Sequence, residues 1–276
     1  MKKNSLSILE KSLTQKDLMN KNIKDAMKKH IEHFEKNKDL IAAQREEEAK
    51  NNKNCFSYWF PKINSIEGVL TPKTIIVPFH YNDLLKALDS NFTESYFKSL
   101  EAVKEACRNL GFPCFIKNSH FSGKHSWNQN CFVQKEEDLE NNLLNLTSDA
   151  YCLGVSDSLY IIVRELIPTR PAFFAFGGTP ITKEFRFFVI DGKVTHVQPY
   201  WPLNSINDPN ADDFDDRLKQ ISTLSQEQEK YLMDLSQKVS QNIEGAWSVD
   251  WLQSKSGDWY LIDMALEESS FKWSPK

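Results

Sequence analysis

Residues 179–201, TPITKEFRFFVIDGKVTHVQPYW, constrain the fold more than any other stretch and read as a long hairpin. Two runs rich in β-branched and aromatic residues flank Asp191-Gly192, the pair favoured in a two-residue type I′ turn. With that turn, Ile190 opposes Lys193. Glu184 and Arg186 then project from one face, because strand side chains alternate with period two. A strand that places charges among Phe185, Phe187 and Phe188 is costly unless those charges are paired or liganded. The segment therefore predicts an antiparallel sheet with a polar site on one face.

The same conflict recurs in other apolar runs: Lys117 in FIKN, Arg164-Glu165 in IIVREL, Asp250 in SVDWL and Asp263 in LIDM. The last two sit in a second hairpin, AWSVDWLQ and DWYLIDM around SKSG. A two- or four-residue loop there sets Val249 opposite Ile262, Ser248 opposite Asp263 and Asp250 opposite Leu261. Asp250 and Asp263 become diagonal neighbours on one face, roughly 7–8 Å apart. A three-residue loop would turn Asp263 to the other face. Two carboxylates so placed suit a hard cation such as magnesium, held together with phosphate oxygens. The lysines and arginines suit the phosphates themselves. FSGKHSW (121–127) adds Ser122, Gly123 and Lys124: glycine lets the backbone approach a phosphate, and the lysine brings a charge. It is not a Walker A loop, since no glycine stands five residues before Gly123. Alone, such a loop is an ordinary polar connection.

Elsewhere the chain mixes helices and strands. Residues 1–53 are rich in Lys, Glu and Asn and contain no Pro or Gly. Ile23, Met27, Ile31 and Phe34 recur at helical spacing, predicting a helical extension that packs on the body or on a protein partner. His30 and His33 read as solvent-facing. YWFPKI and TPKTIIVP read as strands with connecting loops. Residues 92–110 read as a helix with Phe97, Leu100, Val103, Cys107 and Leu110 buried, ended by Gly111 and Pro113. CFIKN, CFV and LYIIVREL read as strands, EEDLENNLLNL as a short helix, and residues 203–223 as an acidic surface loop. Ser225 and Gln228 form a capping box for a helix carrying Leu232, Leu235, Val239 and Ile243. Two antiparallel hairpins dominate the C-terminal half, so the expected class is α+β, not a doubly wound parallel sheet.

A net charge of −4 over 276 residues, with no basic cluster, argues against nucleic acid as partner. Five scattered cysteines without a CxxC pair read as reduced, mostly buried thiols. The N-terminus lacks an apolar signal region and no stretch has transmembrane length. The expectation is a cytoplasmic protein without a membrane partner.

The order of these elements resembles the ATP-grasp superfamily. PCFIKN–HFSGKHSW, IIVRELIP, PITKEFRFFVIDGKVTHVQPYWP and WSVDWLQSKSGDWYLIDMA follow its layout from about residue 55 to the C-terminus. It is similar in particular to the clade in which an Arg often replaces the first phosphate-binding Lys; this chain has Lys117 there. The resemblance implies two α+β lobes gripping a nucleotide between mostly antiparallel sheets. The expected boundaries are a helical extension (1–53), an N-terminal subdomain (54–112) and an ATP-grasp domain (113–276) with lobes at about 113–163 and 164–276. It also implies that Lys117, Ser122, Gly123 and Lys124 contact ATP, with FSGKHSW as a mobile flap, and that Glu165, Leu166 and Ile167 form the hinge at the adenine edge. Arg164 would position phosphates or substrate. Glu184 and Arg186 would stand at the mouth, with Arg186 and Lys124 acting on the transferred phosphoryl group. Asp250 and Asp263 would bind Mg2+. Many members end in Glu-x-Asn; here the segment is Asp263-Met264-Ala265, so either Glu267 or Glu268 compensates or only one metal site is complete. The implied function is ATP-dependent carboxylate–amine (or thiol) ligation through an acyl phosphate. The alternative is an ATP-binding assembly factor of the cell-division-cycle type on the same scaffold. Tyr200, Trp201 and the 203–223 loop would border the acceptor pocket.

Overall fold

The structure is a computed structural model that describes residue 40 and residues 43–274. The stripe of Ile23, Met27, Ile31 and Phe34, and the pair His30 and His33, lie outside the described residues. Of the described residues, 49–274 form one compact unit.

Two four-stranded antiparallel sheets organise this unit. The first runs in the order β1 (Thr74–Pro78), β4 (Tyr160–Glu165), β2 (Cys114–Asn118), β3 (Phe132–Val133). The second runs in the order β10 (Trp259–Leu266), β9 (Trp247–Gln253), β7 (Glu184–Ile190), β8 (Lys193–Pro199). A small hairpin of β5 (Phe173–Ala175) and β6 (Thr179–Ile181) stands apart from both. The TPI segment is thus a separate short strand, and the long hairpin starts only at Glu184.

From residue 56 onward the helices are α1 (Phe56–Ile63), α2 (Tyr81–Leu88), α3 (Glu94–Leu110), α4 (Leu139–Cys152), α5 (Phe214–Ile221) and α6 (Gln226–Ser240). α1 corrects the strand reading of YWFPKI. Its buried residues Phe56, Trp59, Phe60 and Ile63 follow the helical 3–4 spacing, and Pro61 falls in the last turn. α5 corrects the loop reading of 203–223, because Phe214, Leu218 and Ile221 make a one-sided stripe that packs beside Trp201. On α3 the buried stripe centres on Tyr96, Leu100, Val103 and Cys107, whereas Phe97 is exposed. Thr93 caps that helix, accepting from the Tyr96 N–H. The Ser225–Gln228 capping box opens α6.

Cores form on both sheets. One face of the β7–β10 sheet presents Phe185, Phe187, Val189, Trp247, Val249 and Trp251 to α6 and α1. The β1–β4 sheet packs Val77, Ile116, Ile161 and Val163 on α3 and α4. Each such side chain contributes on the order of 1.5–3 kcal/mol by leaving water. These cores fix the sheets firmly enough to hold charge on their opposite faces.

Turn chemistry sets which residues share a face. Asp191 and Gly192 have φ of 49° and 76°, as a type I′ turn requires, and Ile190 pairs with Lys193. The C-terminal hairpin departs from its expected register. Gln253 pairs with Trp259, so the loop has an odd number of residues and Tyr260 faces Leu252. A β-bulge between Leu261 and Asp263 then shifts the register again, and Asp263 lies directly opposite Asp250. The loop alone would have turned Asp263 away; the extra residue at Ile262 turns it back. The two carboxylates are therefore direct cross-strand partners and not diagonal ones.

Candidate functional site

Between the two sheets lies a cavity of about 540 Å³. Its wall includes Lys117, Ser122, Lys124, Arg164, Glu184, Asp250 and Asp263, together with the strand exit Glu165-Leu166-Ile167. Apolar cover comes from Phe115, Trp127, Leu252 and Ile262, among others. The first sheet contributes Lys117 and Arg164, whose strand partners are Ile162 and Phe115. The second contributes Glu184, Arg186 and Asp250 on one face, opposite the phenylalanine core.

The charges are already paired, Lys117 with Asp263 across the cleft and Arg186 with Asp250 between neighbouring strands of one sheet. Lys117 is buried and its Nζ lies 3.0 Å from Asp263 Oδ2 and 3.1 Å from Oδ1. Burial disfavours the Asp263 carboxylate, yet Lys117, with Arg164 and Lys124, holds its pKa below the usual value. Arg186 binds Asp250 in a two-pronged pair, Nε to Oδ1 and a terminal nitrogen to Oδ2, both at 2.7 Å. Burial opposes the Arg186 charge, but Asp250 outweighs it and raises the pKa.

Arg164 differs. One terminal nitrogen donates to the Ile262 carbonyl at 2.6 Å. Its Nε and other terminal nitrogen are buried without a partner among the described residues. Burial pushes this guanidinium down to about 10, with Asp263 and Glu165 opposing the shift. Unmet donors on a buried cation that lines a cavity suit an anion, whose oxygens would accept from them. Phe56 lies under both Arg164 and Lys117, its ring centroid 5.1 Å and 5.6 Å from their charged groups.

The loop carrying Ser122, Gly123 and Lys124 is docked. Lys124–Ser126 form a 3₁₀ turn entered from Gly123 in the left-handed region, φ 61°. A Cβ at Gly123 would meet Asn130 Nδ2 at 2.6 Å, so packing within the loop demands glycine there. Lys124 Nζ sits 3.6 Å from the Tyr200 ring centre, 4.6 Å from that of Trp201, and 3.6 Å from Glu184 Oε2. Burial opposes its charge, while Tyr200 and Glu184 hold its pKa above the ordinary lysine value. The β5–β6 hairpin holds the loop from the other side. Thr179 Oγ1 donates to the Lys124 carbonyl, and His125 stacks on Phe176 at 4.3 Å.

Lys117, Lys124, Arg164, Glu184, Arg186, Asp250 and Asp263 are thus brought together, with Ser122 and residues 165–167 on the same wall. Glu267 is not: it pairs with Lys272 at 3.3 Å beyond the end of β10 and does not line the cavity. The strand has run past the site by that point. Ala265 shares the face of Asp263 and opposes Ser248, so no side-chain donor occupies that position. Trp201 is buried and belongs to the small core under β5–β6. Phe56, Thr179 and Phe176 were not legible as site residues. Only their tertiary neighbours place them there.

No family profile matches the chain. No curated protein sequence matches it. Solved structures do. Cdc123 from Schizosaccharomyces pombe matches at 16% identity and a TM-score of 0.52, with 81% of this chain and 85% of that chain covered. Its C-terminally truncated form gives the same identity and score over 77% and 82%. The fold is ATP-grasp-like. D-alanine–D-alanine ligase from Bacillus anthracis, solved with ATP, also matches, at 13% identity and a TM-score of 0.42 over 77% of this chain and 52% of that chain.

Among the described residues no cluster of three or more His, Cys, Asp or Glu could hold a metal unaided. Asp250 and Asp263, opposed on one face, fit the donor set of an ion that takes its remaining ligands from phosphate and water. No helix of the described residues is long and apolar enough to cross a membrane.

Proposed function

We propose that the cavity binds ATP with magnesium and that the protein uses it to join a carboxylate to an amine. The observation that carries this reading is the convergence of Lys117, Lys124 and Arg164 with Asp250 and Asp263 on one cavity between two sheets, with Arg186 paired to Asp250 beside it. The adenine would lie between Phe115 and the floor of Leu252 and Ile262, at the backbone of residues 165–167. The triphosphate would take the unmet Arg164 donors and draw Lys117 from Asp263. Asp250 and Asp263 would hold the magnesium, which supplies charge neutralisation at the phosphates.

The chain's residues then act by position and charge. An acceptor carboxylate oxygen attacks the γ-phosphorus, and the bond from that phosphorus to the ADP oxygen breaks, giving an acyl phosphate. Arg186 and Lys124 stabilise the charge on the moving phosphoryl oxygens. The docked 121–127 loop excludes water from the acyl phosphate. An amine attacks the carbonyl carbon, the carbon–oxygen bond to phosphate breaks, and the amine releases one proton to solvent.

A second reading has its own observation. Ala265 leaves the position beside Asp263 without a ligand, which favours an ATP-binding assembly factor that ligates nothing. Calorimetry with MgATP tests the common part: saturable binding is expected, and Arg164→Met should weaken it by about tenfold or more. No heat with MgATP, or unchanged affinity in Arg164→Met, overturns the nucleotide site. Tight binding without ADP release under any carboxylate and amine supports the assembly factor.

A further inference from the structure

A second cavity, of about 510 Å³, lies behind the 121–127 loop. Ser122, Lys124, Tyr200 and Asp263 line both cavities, so these four side chains are the partition between them. Lys124 and Asp263 are also the charged groups placed at the phosphoryl end of the first cavity. A molecule in the second would therefore present one end at the partition, beside the phosphorus to be transferred. Away from the partition, the wall comes from the end of α4 and the loop: Asp149, Cys152 and His125 among others.

Charge defines what fits. Burial lowers the pKa of His120 and of His125, which keeps both imidazoles neutral near pH 7. His120 is further engaged, its Nε2 lying 2.9 Å from the Asp157 carbonyl. The charged groups on the wall are then Lys124 and Asp263 at the partition and Asp149 away from it. Asp149 accepts from Asn130 Nδ2 at 2.7 Å through Oδ2, an interaction that orients the carboxylate. The volume lies within the range of small-molecule pockets, roughly 300–1,000 Å³, and admits an amino acid or a short peptide.

We propose that this cavity is the acceptor site and that its ligand is an amino acid or short peptide. The ligand's carboxylate would meet Lys124 and its ammonium would meet Asp149. This assignment rests on the ligase reading above. It specifies the substrate class and adds Asp149 as a residue that determines specificity.

Cys152 supplies a readout independent of turnover. It lines this cavity and is the exposed thiol among five free cysteines, the other four being buried. The protein is reacted with a small thiol reagent, and the Cys152 adduct is followed by intact mass. The reaction is run with and without a non-hydrolysable ATP analogue and magnesium, and with each of the twenty amino acids and a set of dipeptides. At least one of these should slow labelling about tenfold at saturation. Asp149→Asn should weaken that protection by about ten- to a hundredfold, the loss expected for a charged hydrogen bond. A longer blocking variant, Ser126→Trp, should abolish protection without filling the nucleotide cavity.

If the ATP analogue binds but no amino acid or dipeptide protects Cys152, the acceptor assignment is wrong and the nucleotide site stands. If protection occurs but Asp149→Asn leaves it unchanged, the ammonium contact is wrong. If the analogue itself fails to bind, the ligase reading falls and this assignment with it.

Discussion

The Arg186–Asp250 pair offers the sharpest test of how this site is built. Both side chains are shielded, at 16% and 4% exposure, and two hydrogen bonds of 2.7 Å join them. Replacing Arg186 with Met leaves Asp250 in a site it cannot rehydrate fully. Breaking a buried pair in this way costs about 3–5 kcal/mol. The adjoining cavity admits some water, so the lower end, about 3 kcal/mol, is expected. For a unit of this size that corresponds to a fall in Tm of about 6–12 °C. The double variant Arg186→Met/Asp250→Leu removes both charges and should recover most of the loss, giving a coupling of about 2 kcal/mol or more. The Tyr200 ring, 5.0 Å from the Arg186 guanidinium, loses its cation in both arms and cancels in the cycle. Urea unfolding of the four proteins measures the coupling. Magnesium gives a second arm: in Arg186→Met the Asp250 carboxylate is bare, and magnesium at ten times its Kd should restore about 1.4 kcal/mol. A single-variant loss under 1 kcal/mol, or a double variant as unstable as the sum of the singles, would refute the buried-pair reasoning.

Further tests address the other parts of the site. Asp263 has a folded pKa below the ordinary carboxylate value of about 3.9, so its pairing stabilises the protein above that pH and is lost as pH falls through the folded value. Unfolding free energy should therefore drop below about pH 4 in the wild type, and Lys117→Met should flatten that limb; an unchanged limb sinks the assignment. The contacts of Thr179 and Phe176 with the 121–127 loop predict slow amide exchange there without nucleotide. Thr179→Ala with Phe176→Ala should speed that exchange by tenfold or more while β2 keeps its protection. Gly123→Ala should cost about 1–3 kcal/mol through Asn130 and the positive φ, with the deficit present before any ATP is added. A deficit confined to ATP affinity would restore a purely phosphate-binding role for this glycine.

Much of the site could be read before the fold was known, because charge in an apolar strand carries its own penalty. Lys117, Arg164, Glu184, Arg186, Asp250 and Asp263 each stood out on that ground, and each lies at one cleft. Secondary structure was less legible where one pattern served two periods. In FSYWFPKI the proline suggested a break, although the aromatics repeat as on a helix. In residues 203–223 the acidic residues hid the stripe of Phe214, Leu218 and Ile221. The last hairpin shows why register is harder still. An odd loop and a bulge each reverse the face of Asp263, and together they cancel. Neither is marked by a distinctive residue, since a bulge is chosen by the twist and packing of the whole sheet.

Local sequence determined the elements whose physics is local. Asp191-Gly192 sets its own turn through two positive φ angles, and Ser225 with Gln228 sets the start of α6. Alternation places Glu184 and Arg186 on one face. Only the tertiary structure decided which charges neutralise one another. Lys117 reaches Asp263 across 146 residues of chain and Arg186 reaches Asp250 across 64. It also decided that the 121–127 loop rests on Thr179, Phe176 and Tyr200, and that a second cavity opens behind it. Arg186 meets Asp250 because β7 pairs with β9 in one sheet; the other partners are set by how two separately packed sheets face each other, a relation that no window of sequence contains.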